Sequence, residues 1–355
     1  MSQKTILVTA ANGTVGSRLA ALLLDQGFNV HALVRNAEST VARDLEKRGA
    51  KIFKGDFSDI SSLQIASQGI WGVFINGFPV FGTMDELTHN QNVIKVAKEA
   101  GAKFGVYMGV VMAGRKDDIP GMSPQHSSYK YWECKAGSEK ALREAGFDYW
   151  TILRPSIFLS NFFGPMAAYT YPTLQKQHLI SSPFEPSLEQ SFIDPEDISK
   201  FAAAAFANPD TFNGEAIELS GEQLTLKDAG ALITDIIGIP ITVEHISREE
   251  ASARGMPDQL VEWHDWAKAM DYHIDYERLE QYPVKRNTVA DYLKRNKEYI
   301  ASYLSQTALS LTPPLSMNVS VKLTFVIELD AQLSMKTSAC TFQHAIEKCQ
   351  AQMSM

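Results

Sequence analysis

An α/β fold with a doubly wound parallel sheet is predicted by two observations. Short β-rich runs alternate with amphipathic helical stretches from the N-terminus onward, and a glycine-punctuated turn joins the first run to the first helix. Alternation of this kind is how a parallel sheet covered by helices on both faces reads. The type is Rossmann, and the later sequence predicts a smaller, mostly helical C-terminal substrate lobe.

The elements follow in order. TILVTA (5–10), NVHALVR (29–35), AKIFKGD (50–56), WGVFING (71–77), KFGVYMG (103–109) and DYWTILRPS (148–156) each read as a strand. Stretches near 15–26, 37–48, 85–100 and 124–145 carry helical spacing between them. After Pro155 the rhythm loosens into the aromatic, proline-containing FLSNFFGPMAAYTYPTLQKQ, returns in FIDPEDISKFAAAAFA and AIELSG, and then turns mostly helical to Leu304. The expected division is a nucleotide-binding domain over 1–160, with 190–220 returning to it, and a substrate lobe over 161–189 and 221–304. Residues 305–355 are read as an extension.

Composition narrows the function classes. The chain has 355 residues, 45% of them hydrophobic, enough for a large core. A net charge of -8 without a basic run argues against a nucleic-acid partner. No apolar stretch approaches the ~20 residues needed to span a bilayer, and Met1–Lys4 lead into a strand-like run rather than a signal peptide. A soluble cytoplasmic protein is expected. Cys134, Cys340 and Cys349 are odd in number and widely spaced, so they suggest neither a disulfide framework nor a zinc site.

The first turn carries the strongest cofactor signal. At the carboxyl end of a first parallel strand, a turn without bulky side chains lets a pyrophosphate approach backbone amides and the positive end of the next helix. Thr9, Ala11, Asn12, Gly13, Thr14, Val15 and Gly16 are the expected binding residues, with Ala10 standing where the glycine pattern usually begins. The plainer alternative is a generic helix-capping turn. At the end of the second strand there is no carboxylate for a ribose; Arg35 stands there instead, suited to the 2′-phosphate of NADP(H). Asp56 and Phe57 are placed at the adenine, with helix capping as the alternative for Asp56. Asn76 and Gly77, ending the fourth strand, complete the expected cofactor edge.

For chemistry the candidates lie in HSSYKYWECKAGSEKALREAG. Ser123-Pro124 reads as a helix start and Gly146 as its stop, which puts Tyr131 and Lys135 one turn apart on one face. A neighbouring ammonium, together with an oxidised nicotinamide, lowers a tyrosine pKa from its usual ~10, whereas with the reduced cofactor the neutral phenol can protonate a carbonyl oxygen as hydride arrives. The alternative is that Tyr131 packs the helix while Lys135 is a surface or cofactor-binding cation.

VTAANGTVG, LVRN, GDFSD, YWECKAGSEKALREAG, LRPSIFLSNFF, DYERLEQ and VADYLKRNK together resemble the NmrA-like family of atypical short-chain dehydrogenases/reductases, over about residues 4–300. The resemblance implies an NADP-binding Rossmann domain, a C-terminal lobe and a cleft between them, with Lys135 at the cofactor ribose and Pro155 near the nicotinamide. It covers both reductases and non-catalytic, cofactor-sensing regulators. Met108 and Gly109 stand where related reductases often carry a substrate-orienting serine. Tyr131 stands where many members lack tyrosine, which favours catalysis.

The expected function is therefore an NADPH-dependent reductase of a small apolar or aromatic carbonyl or enone, with Tyr131 as proton donor and Lys135 orienting the cofactor. A regulator that senses NADP is the alternative. Asp194-Pro195-Glu196-Asp197 reads as a helix start rather than an acid/base pair. His264 reads as a packed or capping residue, with contact to a substrate from the C-terminal lobe as the alternative. Phe162, Phe163, Tyr169, Tyr171, Trp263, Trp266 and Tyr272 are read as cleft lining or, alternatively, as lobe core. In the extension, Val319, Val321, Leu323, Phe325, Ile327 and Leu329 alternate like a strand that adds to a sheet edge in its own chain or in a second copy, with a short helix over ACTFQHAIEKCQAQ. A disordered extension is the alternative.

Overall fold

All six expected strands form, with ends within two residues of the sequence reading: β1 (Thr5–Val8), β2 (Asn29–Val34), β3 (Lys51–Lys54), β4 (Gly72–Asn76), β5 (Phe104–Met108) and β6 (Tyr149–Pro155). The computed structural model describes residues 3–77, 79–164, 166–256, 260–263 and 272–306. Short strands β7 (Ile157–Phe158), β8 (Leu179–Ser182) and β9 (Glu189–Ile193) come next, and β10 (Glu215–Leu219) then rejoins the large sheet. Its order is β10-β6-β5-β4-β1-β2-β3, with every neighbouring pair parallel. The strand order reverses beside β1, where open α/β sheets place their ligand crevice.

Both faces of this sheet are buried, and the strand period decides which residue goes where. Ile6, Val8 and Phe74 pack against α1 (Thr14–Asp25), α2 (Thr40–Lys47) and, further along the chain, a helix over 195–207. Leu7, Val73 and Ile75 pack on the opposite side with α3 (Ile60–Ala66), α4 (Asp85–Glu99) and α5 (Tyr129–Glu144). A fully buried side chain of this size contributes about 1.5–3 kcal/mol relative to an exposed one, so the sheet is the rigid frame on which the site is mounted.

The start of α5 differs from the sequence reading. Ser123 and Pro124 do not open the helix; residues 123–128 make two successive turns, His126 N to Ser123 O and Tyr129 N to His126 O. The His126 ring accepts from Ser128 N at 3.2 Å, a local bond that competes with helix formation. The helix begins at Tyr129, and Gly146 ends it with φ 73°.

The lobe has its own core. α6 (Ala167–Thr170), α7 (Leu174–Gln177), α8 (Pro195–Ala207) and α9 (Pro209–Phe212) are followed by β11 (Glu222–Thr225), α10 (Leu226–Ile237), β12 (Thr242–His245), α11 (Arg248–Ala253), α12 (Tyr276–Glu280), α13 (Val289–Arg295) and α14 (Lys297–Ser305). Leu159, Phe162, Tyr171, Ile180, Phe192, Ile233, Leu293 and Ile300 pack together there. Buried acids tie the lobe to α8. Asp194 caps that helix by accepting from Glu196 N at 3.0 Å and also receives Asn287 Nδ2 at 2.8 Å and Arg295. Asp197, fully buried, accepts from Lys200 Nζ at 2.8 Å and Asn287 N at 2.7 Å.

His264, Trp266 and the extension beyond residue 306, with its expected strand and helix, lie outside the described residues. Among the described residues no helix is long and apolar enough to cross a membrane.

Candidate active site

The turn after β1 is shaped by backbone geometry. Ala10 adopts φ 48°, in the left-handed region, and its carbonyl accepts from Gly13 N at 2.9 Å. A Cβ on Gly16 would lie 2.4 Å from that same carbonyl oxygen, so only glycine lets α1 start this close to the strand. Gly13 is the N-cap and supplies no side-chain cap, and the first turn of α1 holds no acid. Helix geometry leaves the first-turn N–H groups without intrahelical partners, at the positive end of the dipole. The turn fits a pyrophosphate on backbone grounds.

Three of the residues expected in the cofactor turn have side chains engaged within the protein. Thr9 is fully buried; its hydroxyl donates to Phe74 O at 2.8 Å and accepts from Asn76 N at 3.0 Å. It stitches the ends of β1 and β4 together, so it shapes the edge and offers no free group. Ala11 and Val15 are buried in the core, and Ala11 N donates to Leu33 O at 3.0 Å. Asn12 and Gly13 are half-buried and Thr14 is exposed, leaving these three at the surface of the turn.

At the far end of the crevice, Arg35 follows β2, is exposed, and has no ion-pair partner among the described residues. Asp59 is the cap of α3, accepting from Ser61 N and Ser62 N at 3.0 and 3.2 Å, which relieves Asp56 of that role. Asp56 instead closes a turn, its Oδ1 accepting from Ser58 N at 2.9 Å and Ser58 Oγ at 2.7 Å. Burial opposes its charge, yet the Ser58 bonds, with His89 and Arg35 nearby, hold its carboxyl below the usual range. Phe57 is half-buried with its ring edge-on to His89 at 6.4 Å.

The chemical end is built from buried charges. Lys135 is only 3% exposed; its Nζ lies 2.7 Å from Glu86 Oε1 and donates to Gly77 O at 3.0 Å. Tyr131, one turn earlier, is half-buried, with Phe81 stacked on its ring at 5.8 Å and Trp132 at its edge at 5.2 Å. The Lys135 ammonium stands 5.5 Å from the centre of that ring, and no hydrogen bond joins it to the hydroxyl. Burial first, and the Glu86 carboxylate second, push the Tyr131 hydroxyl well above its ordinary pKa. The expected lowering by Lys135 is thus not what the free protein shows, because burial, with Glu86 second, favours the neutral phenol. Tyr131 stays protonated.

The remaining edge residues frame this pair. Met108 and Gly109 end β5 without a hydroxyl, as their sequence implies. Pro155 is buried, and its carbonyl accepts from Val111 N at 3.1 Å. Ser156 Oγ, next in the chain, is buried without a hydrogen-bond partner. Glu139 and Arg154, both missed by the sequence reading, hold α5 on β6: Glu139 is 1% exposed and accepts from Arg154 Nε at 2.8 Å and Nη2 at 2.7 Å. Such a forked pair gives orientation as well as energy. It fixes the helix carrying Tyr131 against the strand ending in Pro155.

The aromatic set divides in two. Phe162, Phe163 and Tyr171 are lobe core, with Phe162 stacked on Tyr171 at 4.6 Å, so these three do not line a cleft. Trp263 and Tyr272 pack, as Tyr131 does, against a small cluster of Met112, Ile119 and Trp132, and Trp263 also borders the lobe core with its ring edge-on to Phe184 at 5.2 Å.

Comparisons with known proteins give the family and the fold. The model of the NmrA-like family matches residues 2–293. The chain is 27% identical to an NAD(P)H azoreductase of Xenophilus azovorans over 263 residues, 72% of this chain and 84% of that one. The solved triphenylmethane reductase of Citrobacter sp., complexed with NADP(H), has the same fold with a TM-score of 0.63 at 18% identity, covering 84% of this chain and 99% of that chain. NmrA, a negative transcriptional regulator solved with NADP, has it with a TM-score of 0.60 at 18% identity, covering 95% and 99%.

Proposed function

This chain belongs to the NmrA-like family, and from that premise we propose that it is an NADPH-dependent reductase of a small apolar or aromatic carbonyl or enone. The observation that carries the reading is Tyr131: a protonated phenol in an apolar, aromatic surround, one helical turn from a buried ammonium at the carboxyl edge of the sheet. The azoreductase and triphenylmethane reductase relatives support it, since both names describe reduction of conjugated aromatic molecules.

The first-turn amides of α1, at Thr14, Val15 and Gly16, would hold the pyrophosphate, with Asn12 and Gly13 bordering it. Arg35 holds the 2′-phosphate, while Asp56 and Phe57 border the adenine. Asn76, Gly77 and Lys135 face the ribose, and Pro155 the nicotinamide. NADPH, when bound, supplies the hydride. Tyr131 gives its proton to the substrate oxygen as charge develops there, a contribution of about 10²–10⁴ in rate for a placed general acid. A phenol held protonated suits reduction better than the reverse reaction, which needs a phenolate base. Val110, Val111, Trp132 and Trp263 exclude water from that proton transfer.

The test is NADPH oxidation monitored against quinones, enones and aromatic aldehydes, in the parent and in Tyr131→Phe. Turnover in the parent, lost in the variant with NADPH affinity kept, supports the reading; equal turnover in both removes Tyr131 from it. A second reading, an NADP sensor, is favoured by Met108 and Gly109 in place of an orienting serine and by the likeness to a transcriptional regulator. It predicts NADP(H) binding without turnover.

A further inference from the structure

We infer that Glu86 is a positioning residue: by charge pairing it holds the Lys135 ammonium inside the protein at the carboxyl edge of the sheet, where the ribose of a bound cofactor would lie. The inference deepens the reductase reading and rests on it for the identity of the ligand.

Glu86 lies in the first turn of α4, where an acid favours the helix dipole from the surface. Asp85, its exposed neighbour, already does so; Glu86 is 2% exposed and points inward instead. A buried carboxylate is costly unless it is paired, and its partner is Lys135 Nζ at 2.7 Å. An ammonium has three N–H donors. One meets Gly77 O at 3.0 Å, while Glu86 Oε1, 2.7 Å from the nitrogen, pairs with it by charge without a hydrogen bond, so the other two N–H groups are not taken up by this pair.

Gly77 makes the pair possible. A Cβ there would come 2.8 Å from the Tyr107 ring and 3.1 Å from Glu86 Oε1, so a larger residue would displace the carboxylate. The glycine therefore serves the cofactor edge by admitting Glu86.

Among the described residues, the other titratable groups facing the pair are neutral, engaged or at the surface. Tyr107 on β5 is fully buried, and burial, then Glu86, push its hydroxyl upward. Tyr131 and Cys134 on α5 are likewise raised, burial being the first cause for each. Glu139 is bound to Arg154 and Arg143, and Asp85 is at the surface. Glu86 is thus the local countercharge. Without it, burial of the lone ammonium favours loss of its proton.

The experiment compares the parent, Glu86→Gln and Glu86→Asp in two measurements. The Lys135 side-chain 13Cε shift, assigned with Lys135→Met, is followed with pH in the free protein; NADPH affinity is followed by tryptophan quenching from pH 6 to 9.5. In the parent and Glu86→Asp, Lys135 should stay protonated and affinity flat. In Glu86→Gln, Lys135 should titrate at least about one unit lower, and affinity should fall about tenfold between pH 7 and 9. An unmoved Lys135 titration in Glu86→Gln overturns the inference, as does a loss of affinity equal at every pH. Should Glu86→Gln not fold, Glu86→Asp decides: a Lys135 that titrates within the range despite the retained carboxylate overturns it. A parent that binds no NADPH sinks the reductase reading and the place of Lys135 at the ribose, while the Lys135 titration still decides whether Glu86 holds the charge.

Discussion

The two ends of the crevice are made of different materials. At the β1–α1 turn the shape comes from backbone: Ala10 in the left-handed region, Gly13 as an uncapped N-terminus, and Gly16 without a side chain beneath a carbonyl. At the β4–α5 end it comes from side-chain charges removed from water: Glu86 with Lys135, and Glu139 with Arg154. A backbone turn is specified by neighbouring residues, so its signature is contiguous in sequence. A buried ion pair is specified by where two distant segments meet, and each partner alone looks like an ordinary surface charge.

This contrast can be broken by substitutions at each end. The largest expected effect is at the charged end: Tyr131→Phe should slow turnover at least ~100-fold with NADPH affinity unchanged, measured by steady-state kinetics and direct titration. Loss of affinity instead would make Tyr131 part of the binding surface, blurring the division. Next comes Gly16→Val at the backbone end. Its side chain collides with Ala10 O, so thermal melting should reveal a loss of about 1–3 kcal/mol, and NADPH affinity should fall because α1 is pushed from the turn. An unchanged melt would mean that the turn is not set by this contact.

A third test sharpens the comparison, because Arg35 is a charge at the otherwise backbone-built end. Arg35→Ala should weaken NADPH by about 1.5 kcal/mol and leave NADH unchanged, as read by calorimetry. An equal loss for both cofactors would move Arg35 away from the 2′-phosphate.

The smallest effect concerns a buried acid outside the crevice. Burial, only partly offset by Lys200 and the Asn287 N–H, raises Asp197 to about 6. The folded protein then holds a proton that the unfolded chain releases near pH 4. Stability from this group is therefore present below pH ~4 and lost as pH rises through about 6, with a slope of at most ~1.4 kcal/mol per pH unit. Asp197→Asn should flatten that slope in denaturant titrations at pH 4 to 7. A persistent slope would assign it to another group.

The sequence by itself determined the sheet. Ile6, Leu7 and Val8 are apolar in succession because both faces are covered, and the helices between the strands carry the spacing that covers them. It also marked Gly13 and Gly16, whose lack of a side chain is a local requirement, and it put Tyr131 and Lys135 on one helical face. Only the tertiary structure decided what those residues do. Thr9, read as a cofactor ligand, bridges β1 to β4, since strands that are distant in sequence end side by side. Lys135, read as lowering the Tyr131 pKa, is neutralised by Glu86 from α4, an acid that sequence marks only as a helix-dipole partner. The start of α5 moved from Pro124 to Tyr129 through a histidine ring bond that no periodicity encodes. Phe162 and Tyr171 became lobe core while Trp263 and Tyr272 joined the small cluster that Tyr131 also packs against, although all four read alike as aromatic. Periodicity and backbone conformation are properties of adjacent residues, whereas burial, charge pairing and pKa arise where the folded chain brings separate segments into a space that excludes water.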